Sequence, residues 1–157
     1  MAEGSVAETV ASKLAEQGWT LGTVECGTGG AVGHRLFDTE DGPAVLGSSL
    51  VVDTAEEAVD ILELPWQQFG PAGEFSAKAA RAAARAGLAF LEADLCLVVW
   101  AQPLPAEAET VQETVYLALN TGQDLVNETA HYDGLAEGMA EWLATQALAF
   151  VGQALSK

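Results

Sequence analysis

The run Glu25-Cys26-Gly27-Thr28-Gly29-Gly30 sets a carboxylate, a thiol, a hydroxyl and three glycines between an apolar alternating segment and a short helical pattern. A turn from strand into helix leaves the first helical amides without intrahelical partners, and such amides can hold an anion or stabilise an oxyanion. A thiol at Cys26 beside that helix end could have a lowered pKa and attack an amide, needing less activation than a hydroxyl. It still requires a base or a positive neighbour. His34 lies past the turn in the next helix, and His131 could approach only through the fold. The competing reading is structural: glycines placed for backbone geometry and a cysteine that is simply buried. Glu25, Asp53 and Asp94 stand at expected strand ends, but their spacing is not diagnostic of a cation site, which needs several convergent oxygens. No metal and no cofactor is expected.

Positioning these groups falls to an alternating set of elements. Val6, Val10 and Leu14 recur at helical spacing up to Gly18, a natural stop. Residues 19–26 alternate as a strand, residues 27–30 turn, and residues 31–37 form a short helix. A second strand is expected over residues 44–52. Asp53 or Thr54 then caps a helix to about Leu64, with Glu56 and Glu57 in its first turn. After a Pro- and Gly-rich loop, Ser76 caps an Ala-rich helix reaching about Glu92. Phe75, Ala79, Ala82, Ala86 and Phe90 are expected on its sheet side, with Lys78, Arg81 and Arg85 on its solvent side. Residues 94–101 are the most apolar strand and are expected at the sheet centre. Residues 111–120 and 123–132 alternate around Thr121-Gly122 as a hairpin. Residues 134–155 close the chain as a helix whose stripe is Leu135, Met139, Trp142, Leu143 and Phe150. Leu148, Val151 and Leu155 make a second apolar face, which expects deep burial or a subunit interface.

Composition narrows the functions. The chain has 157 residues, the size of one domain, and half of them are apolar. Six Lys and Arg face 23 Asp and Glu, for a formal net charge of −17. That surface repels phosphate backbones and anionic headgroups, so no nucleic acid and no membrane partner is expected. A phosphorylated small molecule would need a local cationic site or helix end. No apolar run approaches the roughly 20 residues of a membrane span, and the first ten residues lack a signal-peptide pattern. Cys26 and Cys96 in apolar surroundings suit a reducing, cytoplasmic compartment without a disulfide.

The stretch TVECGTGGAVGHRL resembles the E-S-C-T-G-G-x-x-x-x-R-L signature of the CinA C-terminal family, the nicotinamide-nucleotide amidohydrolases. The match runs ungapped through Glu25, Thr28, Gly29, Gly30, Arg35 and Leu36. Gly73, Ser76, Ala93, Asp94 and Leu95 resemble the family's G-A-V-S helix start and A-D-L strand, and ETVYLALN resembles its strand G-L-V-Y-I-A-L. The resemblance covers most of the chain. It implies one three-layer α/β/α sandwich over residues 1–157, with a mixed sheet, a C-terminal hairpin and a long closing helix. It also implies a homo-oligomer, a dimer foremost, and a nucleotide-like ligand held around Glu25, Gly27, Thr28, Gly29, Gly30, Arg35 and Trp100.

The same register exposes departures. The family's reactive Ser falls on Cys26 and its own Cys on Gly27, while the Tyr and Lys acting with that Ser fall on Asp53 and Ala58. Alanine has no amine to take a proton. The family's T-G-I-A-G-P loop reads here as residues 100–105, with Trp100 in place of the small Thr. An indole buries on the order of 200 Å². No Arg occurs in residues 132–141, where the family places several. The resemblance with these losses implies a catalytically degenerate binding or assembly module. The alternative is an active amidohydrolase in which Cys26 attacks a carboxamide and the amides of Thr28 to Gly30 hold the oxyanion. A third reading is a structural partner docked through the acidic surface.

Overall fold

A computed structural model describes residues 5–156. Helix α1 (Val6–Gln17) opens on a capping box: the Ser5 hydroxyl accepts from the Glu8 amide while the Glu8 carboxylate accepts from the Ser5 amide. It ends at Gly18, whose φ of 72° makes a left-handed cap. The chain then runs through β1 (Leu21–Cys26), α2 (Ala31–Phe37), α3 (Gly42–Val45), β2 (Leu46–Val52) and α4 (Ala55–Ile61). Two short 3₁₀ turns lead to α5 (Ala77–Phe90), β3 (Leu95–Trp100), β4 (Thr110–Asn120), β5 (Leu125–Leu135), another 3₁₀ turn and α6 (Met139–Leu155).

The sheet order is β2-β1-β3-β4-β5, with β1 parallel to both β2 and β3 and the hairpin β4–β5 antiparallel. Every residue of β1 and of β3 is buried, as parallel strands covered on both faces must be. One face packs Leu21, Leu95, Leu97, Val99, Leu117 and Leu119 against α1, α2 and α6. The other packs Val24, Cys26, Cys96, Val98, Trp100 and Ala118 against α4 and α5. This is the three-layer α/β/α sandwich expected from the sequence, with β3 at its centre. The chain leaves β1 toward β2 on one side and arrives at β3 on the other. The β1–β3 junction is therefore a topological switch point, where open α/β sheets leave a crevice at the carboxyl ends of their strands.

Several element boundaries need correction. The strand expected from residue 44 starts at Leu46, because Pro43 near the start of α3 favours a helical turn first. The closing helix starts at Met139 rather than Gly134. The β4–β5 ladder continues to the pair Thr110–Leu135, and its hydrogen bonds claim those residues. Leu135 is therefore a strand residue, 55% exposed, and not part of the α6 stripe. On α5 the buried side is Ala79, Ala80, Ala83, Ala84 and Gly87, whereas Phe90 is half exposed. These small side chains bring α5 close to the sheet: a Cβ added at Gly87 would lie 2.6 Å from Cys96 Sγ. The second apolar face of α6 is explained by burial, since Leu148 and Val151 are both fully covered. The last turns of α1, α4, α5 and α6 contain no basic residue.

Candidate functional site

The turn after β1 is built around Glu25. Its carboxylate is fully buried, and it accepts from the Val32 amide at 3.0 Å, the Gly33 amide at 2.9 Å and the Thr28 hydroxyl at 2.7 Å. The Thr23 hydroxyl lies 3.1 Å from the same carboxylate and 2.7 Å from Ser49 Oγ; having one proton, it can donate to Glu25 while accepting from Ser49. Val32 and Gly33 are the second and third residues of α2, so a carboxylate reaching from the neighbouring strand caps the helix and neutralises the positive end of its dipole. Glu25, expected to hold a ligand, has both oxygens committed within the chain.

The glycines serve the geometry. Gly27, Gly29 and Gly30 have φ values of 77°, 66° and 85°, the left-handed region that favours glycine. Gly27 also has no room for a side chain, since a Cβ there would meet the Ala101 carbonyl oxygen at 2.4 Å. The Gly27 amide donates to the Val52 carbonyl and the Gly30 amide to the Thr28 hydroxyl. The amides of Thr28 and Gly29 have no hydrogen-bond partner among the described residues, and Gly29 is exposed. These two donors are what the turn presents to solvent.

Cys26 points the other way, into the α4–α5 face, and is fully covered. Burial, then Glu57, then Glu25 push its thiol up to about 12, and burial alone pushes Cys96 up to about 12. A thiol in that range is protonated at neutral pH and is a poor nucleophile. Neither cysteine is in a disulfide, and the strand register places Cys26 opposite Trp100 and Cys96 opposite Gly22.

These thiols predict alkaline instability. A group whose folded pKa lies above its unfolded value holds its proton more tightly when folded, so stability falls wherever the unfolded chain has already ionised. With an ordinary value of 9.0 and folded values of about 12, unfolding free energy should decline from pH 9 toward pH 12. Urea midpoints across that range should fall less in a Cys26→Ala/Cys96→Ala variant than in the parent. Equal declines would remove the thiols as the cause.

Around Cys26 the other expected site positions fall in unlike places. Ala58 is fully buried in the core under α4. Asp53 is exposed, and its amide and that of Thr54 donate to Glu57 Oε1 at 3.2 Å, part of the α4 capping box. Trp100 is fully buried, and its indole N–H donates to the Glu74 carbonyl at 2.7 Å, tying β3 to the loop before α5. Beside it a small open cavity of about 220 Å³ is lined by Thr54, Glu56, Glu74, Phe75, Gln102 and Pro103, among others. Its charged lining is acidic, and no Lys or Arg reaches it. A larger cleft of about 710 Å³ lies at the opposite end of the sheet, between the hairpin and the end of α6.

Arg35 turns toward α6, with Nη1 3.5 Å from Thr145 Oγ1 and Nη2 3.7 Å from Glu141 Oε1. Glu141 is mostly exposed, so that pair adds little stability. His34 faces solvent beside Asp38, and His131 sits on the hairpin beside Thr114. Neither approaches Cys26. Among the described residues, no three His, Cys, Asp or Glu converge as a metal site, and no helix is long and apolar enough to cross a membrane. The sequence reading missed Thr23, Ser49 and Glu74. Thr23 was within reach, because period two places it on the same strand face as Glu25.

Comparison with known proteins adds to this geometry. The CinA C-terminal domain family matches residues 3–155. A CinA-like protein from Geotalea daltonii is 33% identical over 125 residues, which is 78% of this chain but 30% of that protein. The chain thus spans under a third of that relative's length. In solved structures, a competence-damaged protein (CinA) superfamily protein from Klebsiella pneumoniae is 22% identical with a TM-score of 0.82, covering 96% of each chain. A competence or damage-inducible protein from Enterobacter asburiae is 23% identical with a TM-score of 0.81, covering 98% of this chain and 99% of that one. At such identities the structural likeness carries the fold alone, but the family match spans nearly every residue, and the chain belongs to the CinA C-terminal domain family.

Proposed function

We propose that this chain is a catalytically degenerate member of its family, a binding or assembly module that no longer cleaves a nicotinamide-nucleotide carboxamide. The observation that carries this reading is the state of Cys26: the residue at the family's nucleophile position is fully covered, its thiol is held protonated, and Ala58 stands where the family's Lys would take the proton. The acidic lining of the 220 Å³ cavity supports it further, because a phosphate entering there would meet Glu56 and Glu74. On this reading the chain works in the cytoplasm as a homo-oligomer, a dimer foremost.

One observation favours the second reading, an active amidohydrolase: the unpartnered amides of Thr28 and Gly29 are the kind of donors an oxyanion needs. Following ammonia release from nicotinamide mononucleotide separates the two. The proposal expects no release above background and no difference for Cys26→Ala. Turnover that vanishes in that variant would sink it. A thermal-shift series with nicotinamide and adenine nucleotides probes binding, since a ligand preferring the folded state raises the melting temperature.

A further inference from the structure

The outer strand of the hairpin is an edge without the usual protection. β5 pairs with β4 in unbroken register across its full length, from Leu125 to Leu135, and among the described residues no strand pairs with its other side. It contains no Lys, no Pro and no bulge, devices by which edge strands avoid further pairing, and its charged residues are Glu128 and Asp133. The opposite edge, β2, is shorter, and its register with β1 shifts between Leu21 and Thr23. At the two ends of the hairpin ladder, the Ala136 amide donates to the Glu109 carbonyl at 2.8 Å and the Thr121 amide to the Asp124 carbonyl at 2.9 Å. Antiparallel pairing alternates, so the even-numbered residues of β5 bond β4 and the odd-numbered ones aim their N–H and C=O groups outward.

From this row we propose that a second copy of the chain adds along β5, antiparallel about a two-fold axis at Ala130, to make one continuous sheet through both subunits. This inference rests on the assembly part of the reading above and adds the surface. Only pairing of odd with odd satisfies the outward groups, and centring on Ala130 engages the whole strand. Thr129 then faces His131 of the mate, Asn127 faces Asp133, and Leu125 faces Leu135, which is 55% exposed in the single chain. Moving the axis to residue 129 or 131 would set Asp133 against Leu125 or Thr129 and strip pairs from the ends.

Charge decides in the same direction. A chain of net charge −17 repels its own copy unless the contact supplies a cation. Arg81 supplies one: its Nη1 donates to Asn127 Oδ1 at 2.6 Å, on the face that Asn127 shares with Asp133. In the Ala130 register each Arg81 therefore meets the Asp133 of the mate.

Light scattering after size exclusion tests this at micromolar concentration. The parent should run as a dimer, and Thr129→Pro, which removes an outward donor without touching the β4 ladder, should run as a monomer with unchanged far-ultraviolet circular dichroism. Arg81→Glu and Asp133→Arg should each weaken association by about tenfold, and the double swap should restore it. A monomeric parent would overturn self-association and this surface together. A parent dimer that survives Thr129→Pro, or that ignores both charge changes, would overturn the surface alone. If Thr129→Pro fails to fold, the charge swap decides.

Discussion

Glu25→Ala should lower the unfolding free energy by about 3–5 kcal/mol, the range for removing one partner from a buried, hydrogen-bonded charged site. The loss has three sources. The amides of Val32 and Gly33 lose their acceptor in a place water does not reach, and the part-buried Thr28 hydroxyl loses its partner. The N-terminus of α2 loses the negative group that balances its dipole. A gap also opens between β1 and α2 where no side chain can collapse, because Gly33 has none. Glu25→Gln refines the test. It keeps the volume and one oxygen, but its amide group brings two protons into a site whose neighbours are donors, so roughly half the loss is expected. Urea unfolding with a shared m-value reads both. A Glu25→Ala variant within about 1 kcal/mol of the parent would show that the network is replaceable, contrary to its burial.

The second large effect belongs to Trp100. Trp100→Ala should cost about 3–5 kcal/mol, the usual range for emptying a large aromatic site in a core, with a melting temperature roughly 10 °C lower for a domain of this size. The Glu74 carbonyl also loses the indole donor that holds the loop before α5. Trp100→Phe keeps most of the ring volume and drops the bond, so its smaller loss measures the tether. The same variant carries a chemical readout. Cys26 lies beside Trp100 in the strand register, and a void there should let a thiol reagent label Cys26 much faster than in the parent. Unchanged stability and unchanged labelling would mean that the indole does not seal this face.

How much of this the sequence revealed depended on whether the deciding interaction was local. The strand–turn–helix at residues 21–37 could be read from alternation, three glycines and helical spacing, and the cap of α4 from Asp53-Thr54 standing before Glu56 and Glu57. The end of the hairpin could not. Leu135 fits a helical stripe, and only the partner residue Thr110 makes it a strand. The sheet side of α5 was legible in part: Ala79 is buried and Phe75, Ala82 and Ala86 pack partly buried against the core, but close packing on the sheet selects Ala80, Ala83, Ala84 and Gly87 and leaves Phe90 half exposed. At the candidate site, the residue types and their departures from the family pattern were all visible. Adjacency already sends Glu25 and Cys26 to opposite faces of β1. What no spacing could give was which helices cover each face, and so that one side chain enters the α2 cap and the other the α4–α5 core.

The bare helix ends have a consequence for how this protein responds to its solvent. Helices α1, α4 and α5 finish without a cation in their last turns, and six Lys and Arg face 23 Asp and Glu, so the folded state holds its negative charge closer together than the unfolded chain does. Counter-ions relieve that crowding once the Debye length falls to about 10 Å near 0.1 M salt. Such a molecule behaves like a polyanion that compacts as brine thickens, and its melting point should climb with sodium chloride where a neutral fold of equal size would stay level.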